Sequence, residues 1–321
     1  MTMIGRMVLA AALALGMSGA ARALETITTG LVGSPGSGTW PYHLGIAKGF
    51  FADSGVALDL IYVPTAPGLM QELAAGSVDI AGTNGVVEPI HAIEKGAPVA
   101  LLRILGQVPP YEMVARPGIA SIKDLKGKII CIGGLADINR VFLDRIMNAN
   151  DLHTGDYDIV VIGNTAARFA ALKSGTIDAT MLAPPVNFYA ETAGFRNIGM
   201  VYDYAKDLPF TGAAIGRAWA AKHRDAAEHF RVALDRSIAW FYDDKNRDEA
   251  IDILATEMKS GRDEVAKSYD YLRKIEYFSR SDAVSRRRLD NLIKAMKDLG
   301  DIAGTVTVEQ LVVPGLTSIT D

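Results

Sequence analysis

Four short glycine-bearing stretches hold most of the side chains that are equipped to grip a small molecule. Gly33–Trp40 (GSPGSGTW), Gly82–Val86 (GTNGV), Gly133–Asp137 (GGLAD) and Gly163–Thr165 (GNT) each join glycine to hydroxyl, amide or carboxylate groups. Each stands between a strand-like and a helix-like pattern. Glycine lets backbone approach a ligand, and the free N–H groups of a helix start favour an anion. Ser37, Thr39, Thr83 and Asn84 from the first two stretches, with Asp137, Asn164 and Thr165 from the others, are therefore candidate ligand contacts. Trp40 and Tyr42 offer apolar faces beside them, and Arg168, one turn past Thr165, offers a cation. Plainer roles stay open: helix capping for Thr83, Asp137 and Thr165, packing for Trp40 and Tyr42, and pairing with a neighbouring carboxylate for Arg168. His43 reads as structural or solvent-facing. The GSPGSG run lacks the Gly-Lys-Ser/Thr ending of a nucleotide-phosphate loop.

Catalytic chemistry finds little support. Cys131 is the single cysteine and lies in the apolar run Lys128–Gly133, where it reads as a small core residue. There is no nucleophile elbow, no closely spaced His/Cys metal cluster and no paired-carboxylate signature, so neither catalytic residues, metal nor cofactor are expected.

The elements that must position these loops alternate in type. Strand patterns fall at Ile27–Val32, Ala57–Val63, Asp79–Gly82 and Val99–Ile104, with helical patterns near Tyr42–Phe51, Leu69–Ala75 and Val87–Lys95. A second series has strands at Lys128–Gly133, Ile159–Ile162, Ala179–Leu182 and Ile198–Tyr202, with helices near Ile138–Asn150, Ala166–Ser174 and Val186–Thr192. Strand–helix alternation of this length predicts βαβ units and an α/β fold with parallel sheets. The two series share a motif, LAAGSVDI at Leu73–Ile80 and LKSGTIDA at Leu172–Ala179. In both, a glycine suited to a helix end precedes an aspartate that opens a strand, where it is expected to hydrogen-bond the turn. After Pro209 the pattern becomes helical: Trp219–Phe241, Asp248–Met258, Arg262–Leu272 and Ser281–Leu299, closed by a mixed strand-and-turn segment at Val306–Val313. Ser285–Arg288 (SRRR) reads as a solvated helix face.

The N-terminus sets the compartment. Arg6 precedes the apolar run Met7–Met17 and the small residues Ser18–Ala23, the order of a secretory signal peptide. Cleavage after Ala23 would make Leu24 the first mature residue; cleavage after Ala20 is the alternative. The apolar run is too short for a membrane span. With no cysteine near the cleavage site, lipid attachment there is excluded, and a free periplasmic protein is expected. The 321 residues exceed one comfortable core, so two lobes are expected. A formal net charge of −4 without a basic patch argues against nucleic acid and anionic membrane surfaces as partners.

Several segments in order resemble one family. GIAKGFFADSGV at Gly45–Val56 followed by Leu73–Ile80, SIKDLKGK at Ser121–Lys128, Leu172–Asp178 with Pro184-Pro185, and WAAKHRD at Trp219–Asp225 are similar to the nitrate/sulfonate/taurine and thiamine-pyrimidine type of solute-binding proteins. The resemblance implies a type II periplasmic-binding fold, with two lobes joined by two crossovers and a ligand in the cleft between them. Lobe one would comprise 24–115 and 209–321, and lobe two 116–208, with Pro109-Pro110 and Pro209 near the crossovers. It further implies the substrate-binding component of an ABC importer, monomeric, that passes its ligand to an inner-membrane permease with its ATPase. A small organic anion, a sulfonate or carboxylate with an apolar body, is the expected ligand. A neutral heteroaromatic such as a pyrimidine is the alternative, and an enzyme or a sensor ectodomain of the same fold stands behind both.

Overall fold

The computed structural model describes residues 24–33 and 35–321. The signal peptide expected at Met1–Ala23 lies outside them. Ten strands build two five-stranded sheets. The first sheet takes β1 (Glu25–Val32), β2 (Val56–Val63), β3 (Ile80–Gly85), β4 (Val99–Gly106) and, from much later in the chain, β10 (Thr211–Gly216). The second takes β5 (Glu112–Ala115), β6 (Ile129–Ile132), β7 (Asp158–Val161), β8 (Ala179–Leu182) and β9 (Arg196–Met200). Their orders match: β2-β1-β3-β10-β4 and β7-β6-β8-β5-β9.

Each sheet is parallel except for one strand. β10 runs antiparallel to both β3 and β4, and β5 runs antiparallel to both β8 and β9. These are the two strands that sequence patterning does not disclose. β5 spans only four residues, directly after Pro109-Pro110-Tyr111. β10 reads TGAAIG, with no alternation, because it lies between two partners at close quarters; a Cβ at Gly212 would stand 2.8 Å from the Arg103 carbonyl oxygen. Membership of β5 in the second sheet also shifts a boundary. The expected first segment ran to Ala115, whereas the chain leaves the first sheet after Gly106 and has joined the second by Glu112. It returns between Met200 and Thr211, so Pro109, Pro110 and Pro209 all lie on the crossing segments.

The repeated motif has the same job in both sheets. Gly76 and Gly175 end their helices, Ala66–Ala75 and Thr165–Ser174, in the left-handed region, each at φ 77°. Asp79 accepts the Thr28 N–H at 2.8 Å, and Asp178 accepts the Ile129 N–H at 2.9 Å. Each carboxylate thus ties its strand to the first parallel strand of its own sheet.

The helical C-terminal third packs mainly onto the first sheet's helices. The expected single helix Trp219–Phe241 is two, Arg217–Lys222 and Arg224–Tyr242, broken at His223, whose ring stacks on Trp219 at 4.9 Å. The last long helix begins at Arg286, capped by the Ser285 hydroxyl, rather than at Ser281. Within the SRRR cluster, Arg286 pairs with Glu309 at 2.6 Å and Arg287 is exposed. Arg288 does not belong to a solvated face. Its guanidinium donates to the Gln107 and Lys206 carbonyls, one on each crossing segment. The closing segment Val306–Val313 holds a short helix, Val308–Leu311. None of the described helices is long and apolar enough to cross a membrane.

Candidate functional site

The loops beyond the carboxyl ends of the two sheets meet, as ligand sites in parallel α/β folds require. Ser37, in the turn after β1, donates its hydroxyl to the Pro184 carbonyl after β8 at 3.1 Å. Tyr111, on the first crossing segment, packs edge-on against Phe210 on the second, with ring centroids 5.3 Å apart. Phe142 of the helix Ile138–Asn148 lies 5.9 Å from Phe210 and closes this aromatic floor.

Polar side chains from both sheets converge around it. In the second sheet, Asp137, Asn139 and Arg168 gather over Gly133. A Cβ at Gly133 would lie 2.6 Å from Asp137 Oδ2, 3.1 Å from Asn139 Nδ2 and 3.2 Å from Arg168 Nη1. The Tyr111 hydroxyl lies against Arg168 and Asn139. From the first sheet come Asn84, on the last turn of β3, and Glu88, in the first turn of the helix Val87–Glu94. The charge of Asp137 reaches Glu88 across the junction. Burial is the main influence on both, holding Asp137 above the usual carboxylate range and pushing Glu88 up to about 8.

Much of this set lacks partners. Asn84 Nδ2 and Oδ1, Glu88 Oε2, Asn139 Oδ1 and Arg168 Nε are buried without a hydrogen bond. Asn187, in the first turn of the helix Val186–Thr192, lies beside Glu112; apart from this mutual approach, neither its amide atoms nor Glu112 Oε2 finds a partner. Buried polar groups are nearly always satisfied, and leaving one unmade costs about 1–3 kcal/mol. A ligand that supplies the missing partners accounts for the concentration of orphans at one junction.

The ten residues expected from sequence divide accordingly. Asn84, Asp137 and Arg168 are at the convergence. Asp137 also caps its helix, accepting the Asn139 N–H at 2.7 Å, and Arg168 is anchored to the Gly163 carbonyl and the Thr165 hydroxyl, each at 3.1 Å. Ser37 closes the junction through Pro184. Thr39 is turned onto the Gly36 carbonyl at 2.9 Å, and Thr83 accepts the Val32 N–H at 3.1 Å, so both fasten loops. Asn164 is exposed and caps its helix through the Ala167 N–H at 2.8 Å; Thr165 serves Arg168. Trp40 and Tyr42 are core residues. Trp40 is 2% exposed, stacked on Tyr269 at 6.3 Å, although its Nε1 has no partner. Tyr42 donates to the Gly82 carbonyl at 2.5 Å and packs on Phe230. Both belong to the helix Trp40–Ala47, which turns its aromatic side chains inward under Arg224–Tyr242; neither is available to stack on a ligand. His43 is buried, held by Tyr62 at 2.9 Å.

Sequence reasoning passed over Glu88, Asn139, Tyr111, Glu112 and Asn187. Glu88 and Asn139 follow loops already singled out, by two residues in each case, so proximity to Val86 and Asp137 was the available signal. Glu112 depends on recognising β5, and only the fold reveals that. Cavities of about 240 Å3 at Gln107, Pro209 and Arg288 and about 290 Å3 at Asp235 and Arg280 also exist, but no orphaned polar group lines them. The junction, packed shut, is the better candidate.

Comparison with known proteins bears on family and fold. Residues 38–247 match the family model described as NMT1/THI5 like. The chain belongs to that family. No curated protein sequence matches it as a relative. Solved structures share the NMT1/THI5-like chain's fold at low identity. The periplasmic aliphatic sulphonate binding protein of Escherichia coli superposes with a TM-score of 0.74 at 16% identity, over 90% of this chain and 92% of the other. The alkanesulfonate-binding protein of Xanthomonas axonopodis pv. citri, solved bound to MOPS, gives 0.73 at 14% identity over 92% and 98%. The periplasmic nitrate-binding protein of Synechocystis gives 0.63 at 15% identity over 77% and 70%. The fold of this NMT1/THI5-like protein is that of the type II periplasmic binding proteins.

Proposed function

We propose that this protein is the periplasmic substrate-binding component of an ABC importer, which captures a small molecule between lobes built on the two sheets and hands it to an inner-membrane permease. The observation that carries this reading is the set of unpartnered amide, carboxyl and guanidinium atoms that meet at the strand ends. A binding protein needs such a set where two lobes meet, and the convergence of these atoms beside the Ser37–Pro184 contact supports that reading. Thiol-based catalysis has no support: Cys131, buried in β6, points its Sγ at the Ile132 carbonyl.

The composition of the site bears on the ligand. An organic anion was expected from helix-start N–H groups and from Trp40 and Tyr42, yet both rings are committed to the core. One cation, Arg168, bears on the half-buried Asp137, the buried carboxyl of Glu88 is a second acid, and Asn84, Asn139 and Asn187 present donors and acceptors together. That mixture favours a neutral ligand with alternating donors and acceptors, such as a pyrimidine, over a sulfonate or carboxylate.

Native mass spectrometry of protein from an osmotic-shock fraction tests the reading directly. The expected result is a chain beginning at Leu24 that carries a small molecule, which Asn84→Ala and Asn187→Ala release. A chain recovered in the cytosol with Met1 intact, or ligand retention unaffected by both substitutions, would sink it.

A further inference from the structure

Glu88 carries a carboxyl that the protein itself leaves unsatisfied. It is 5% exposed, its Oε2 has no partner, and a Cβ at Gly85 would lie 2.4 Å from that oxygen. The side chain is therefore folded back over the end of β3, at the junction of the two sheets. Two carboxylates from distant parts of the chain bear on it. Asp137, at the start of the helix Ile138–Asn148, and Asp301, beyond the helix Arg286–Asp298, both oppose its ionisation. His91, on Glu88's own helix, is engaged with Asp301 at 2.7 Å. Arg168 spends its guanidinium on Gly163 and Thr165 of the second sheet. Only Glu88's own backbone N–H works the other way, and burial outweighs it.

We propose that Glu88 sets a condition on closure: the junction shuts over an empty site only when Glu88 carries a proton, and shuts at neutral pH over a ligand whose N–H group donates to Glu88 Oε2 in the proton's place. The ligand half of this statement rests on the solute-binding reading above; the proton half concerns the protein alone. With the sheets apart, the carboxyl is hydrated and ionises in the usual range. In the closed form burial raises its pKa to about 8. The closed form thus holds the proton more tightly. Below the usual carboxylate range both forms are protonated and closure carries no penalty. Between that range and about 8 the closed-to-open ratio falls about tenfold per pH unit, and above it the ratio is constant. At neutral pH an empty receptor is therefore biased toward the open form relative to pH 5, and a donor on the ligand removes the obstacle. An anionic group at the same place would add a third negative charge to Glu88 and Asp137, so one residue couples ligand selection to lobe movement.

Small-angle scattering of the ligand-free mature protein from pH 5 to 9 tests this, with freedom from ligand checked by native mass spectrometry. The radius of gyration of the wild type should rise between pH 5 and 8 and then level. Glu88→Gln, which has no charge to bury, should keep the compact value throughout. Asp137→Asn, which removes a group opposing Glu88's ionisation, should show a smaller rise, and it serves if circular dichroism finds Glu88→Gln unfolded. A wild-type radius that ignores pH, or variants that reproduce the wild-type profile, would overturn the proposal. No ligand enters this experiment, so its failure leaves solute capture standing, and that is judged separately by the mass-spectrometric result.

Discussion

Ser37 and Pro184 join the two halves of the molecule by one hydrogen bond, from the Ser37 hydroxyl to the Pro184 carbonyl at 3.1 Å. The residues stand 147 positions apart in the chain, one after β1 and the other after β8. Ser37→Ala removes a hydrogen bond whose net worth to the closed form is roughly 0.5–1.5 kcal/mol. Amides near Pro184 should then exchange hydrogen about two- to tenfold faster. Unchanged exchange there would mean that the contact contributes nothing to closure.

Trp40 separates the site from the core. Its ring packs against Tyr269 and Phe241 at centroid distances of 6.3 Å. Trp40→Ala should lower unfolding stability by about 3–5 kcal/mol, the usual result of emptying a buried indole site. Urea titration measures it. A loss of ligand affinity with stability intact would return Trp40 to the binding site.

Asp79 and Asp178 should respond alike, because each carboxylate accepts an N–H from the first parallel strand of its sheet. Asp79→Ala and Asp178→Ala each strand that N–H, at a cost of about 1–3 kcal/mol. Chemical denaturation of the two variants would show similar losses. A large effect at one and none at the other would show that the sheets do not share this fastening.

His43 gives the fold a dependence on acid. Burial, the largest influence, lowers its pKa, and the carboxylate of Glu257 opposes this only in part. The unfolded chain therefore takes up the proton first. Stability contributed by neutral His43 is complete above the ordinary histidine value of about 6.5 and is lost as pH falls below it. His43→Asn should flatten the stability profile between pH 5 and 7 relative to wild type. An unaltered slope would place the titrating group elsewhere.

Much of the architecture is written in local pattern. Alternating strand and helix periods located eight of the ten sheet strands to within a few residues, because parallel strands buried on both faces read as apolar runs with turn residues at their ends. Gly76 with Asp79 and Gly175 with Asp178 announced two similarly built halves, since a left-handed helix end and a strand-opening carboxylate each demand particular residue types. Capping by Asp137 was readable for the same reason: a cap is a contact between near neighbours in the chain, although the helix after Gly163 is capped by Asn164 and not by the expected Thr165. The tertiary structure decided the rest. β5 and β10 are strands only because the chain crosses between sheets and finds open edges there; TGAAIG has no preference of its own that would say so. Trp40 looked like a loop aromatic beside a glycine-rich turn, and the helix Arg224–Tyr242, nearly two hundred residues later, buried it. Glu88 is, by local pattern alone, an acidic residue in a helix's first turn, where it would gain from the free N–H groups. Burial around the end of β3 leaves it without a partner, and the charges of Asp137 and Asp301 add to the effect; no local pattern encodes which distant segments will gather round a side chain.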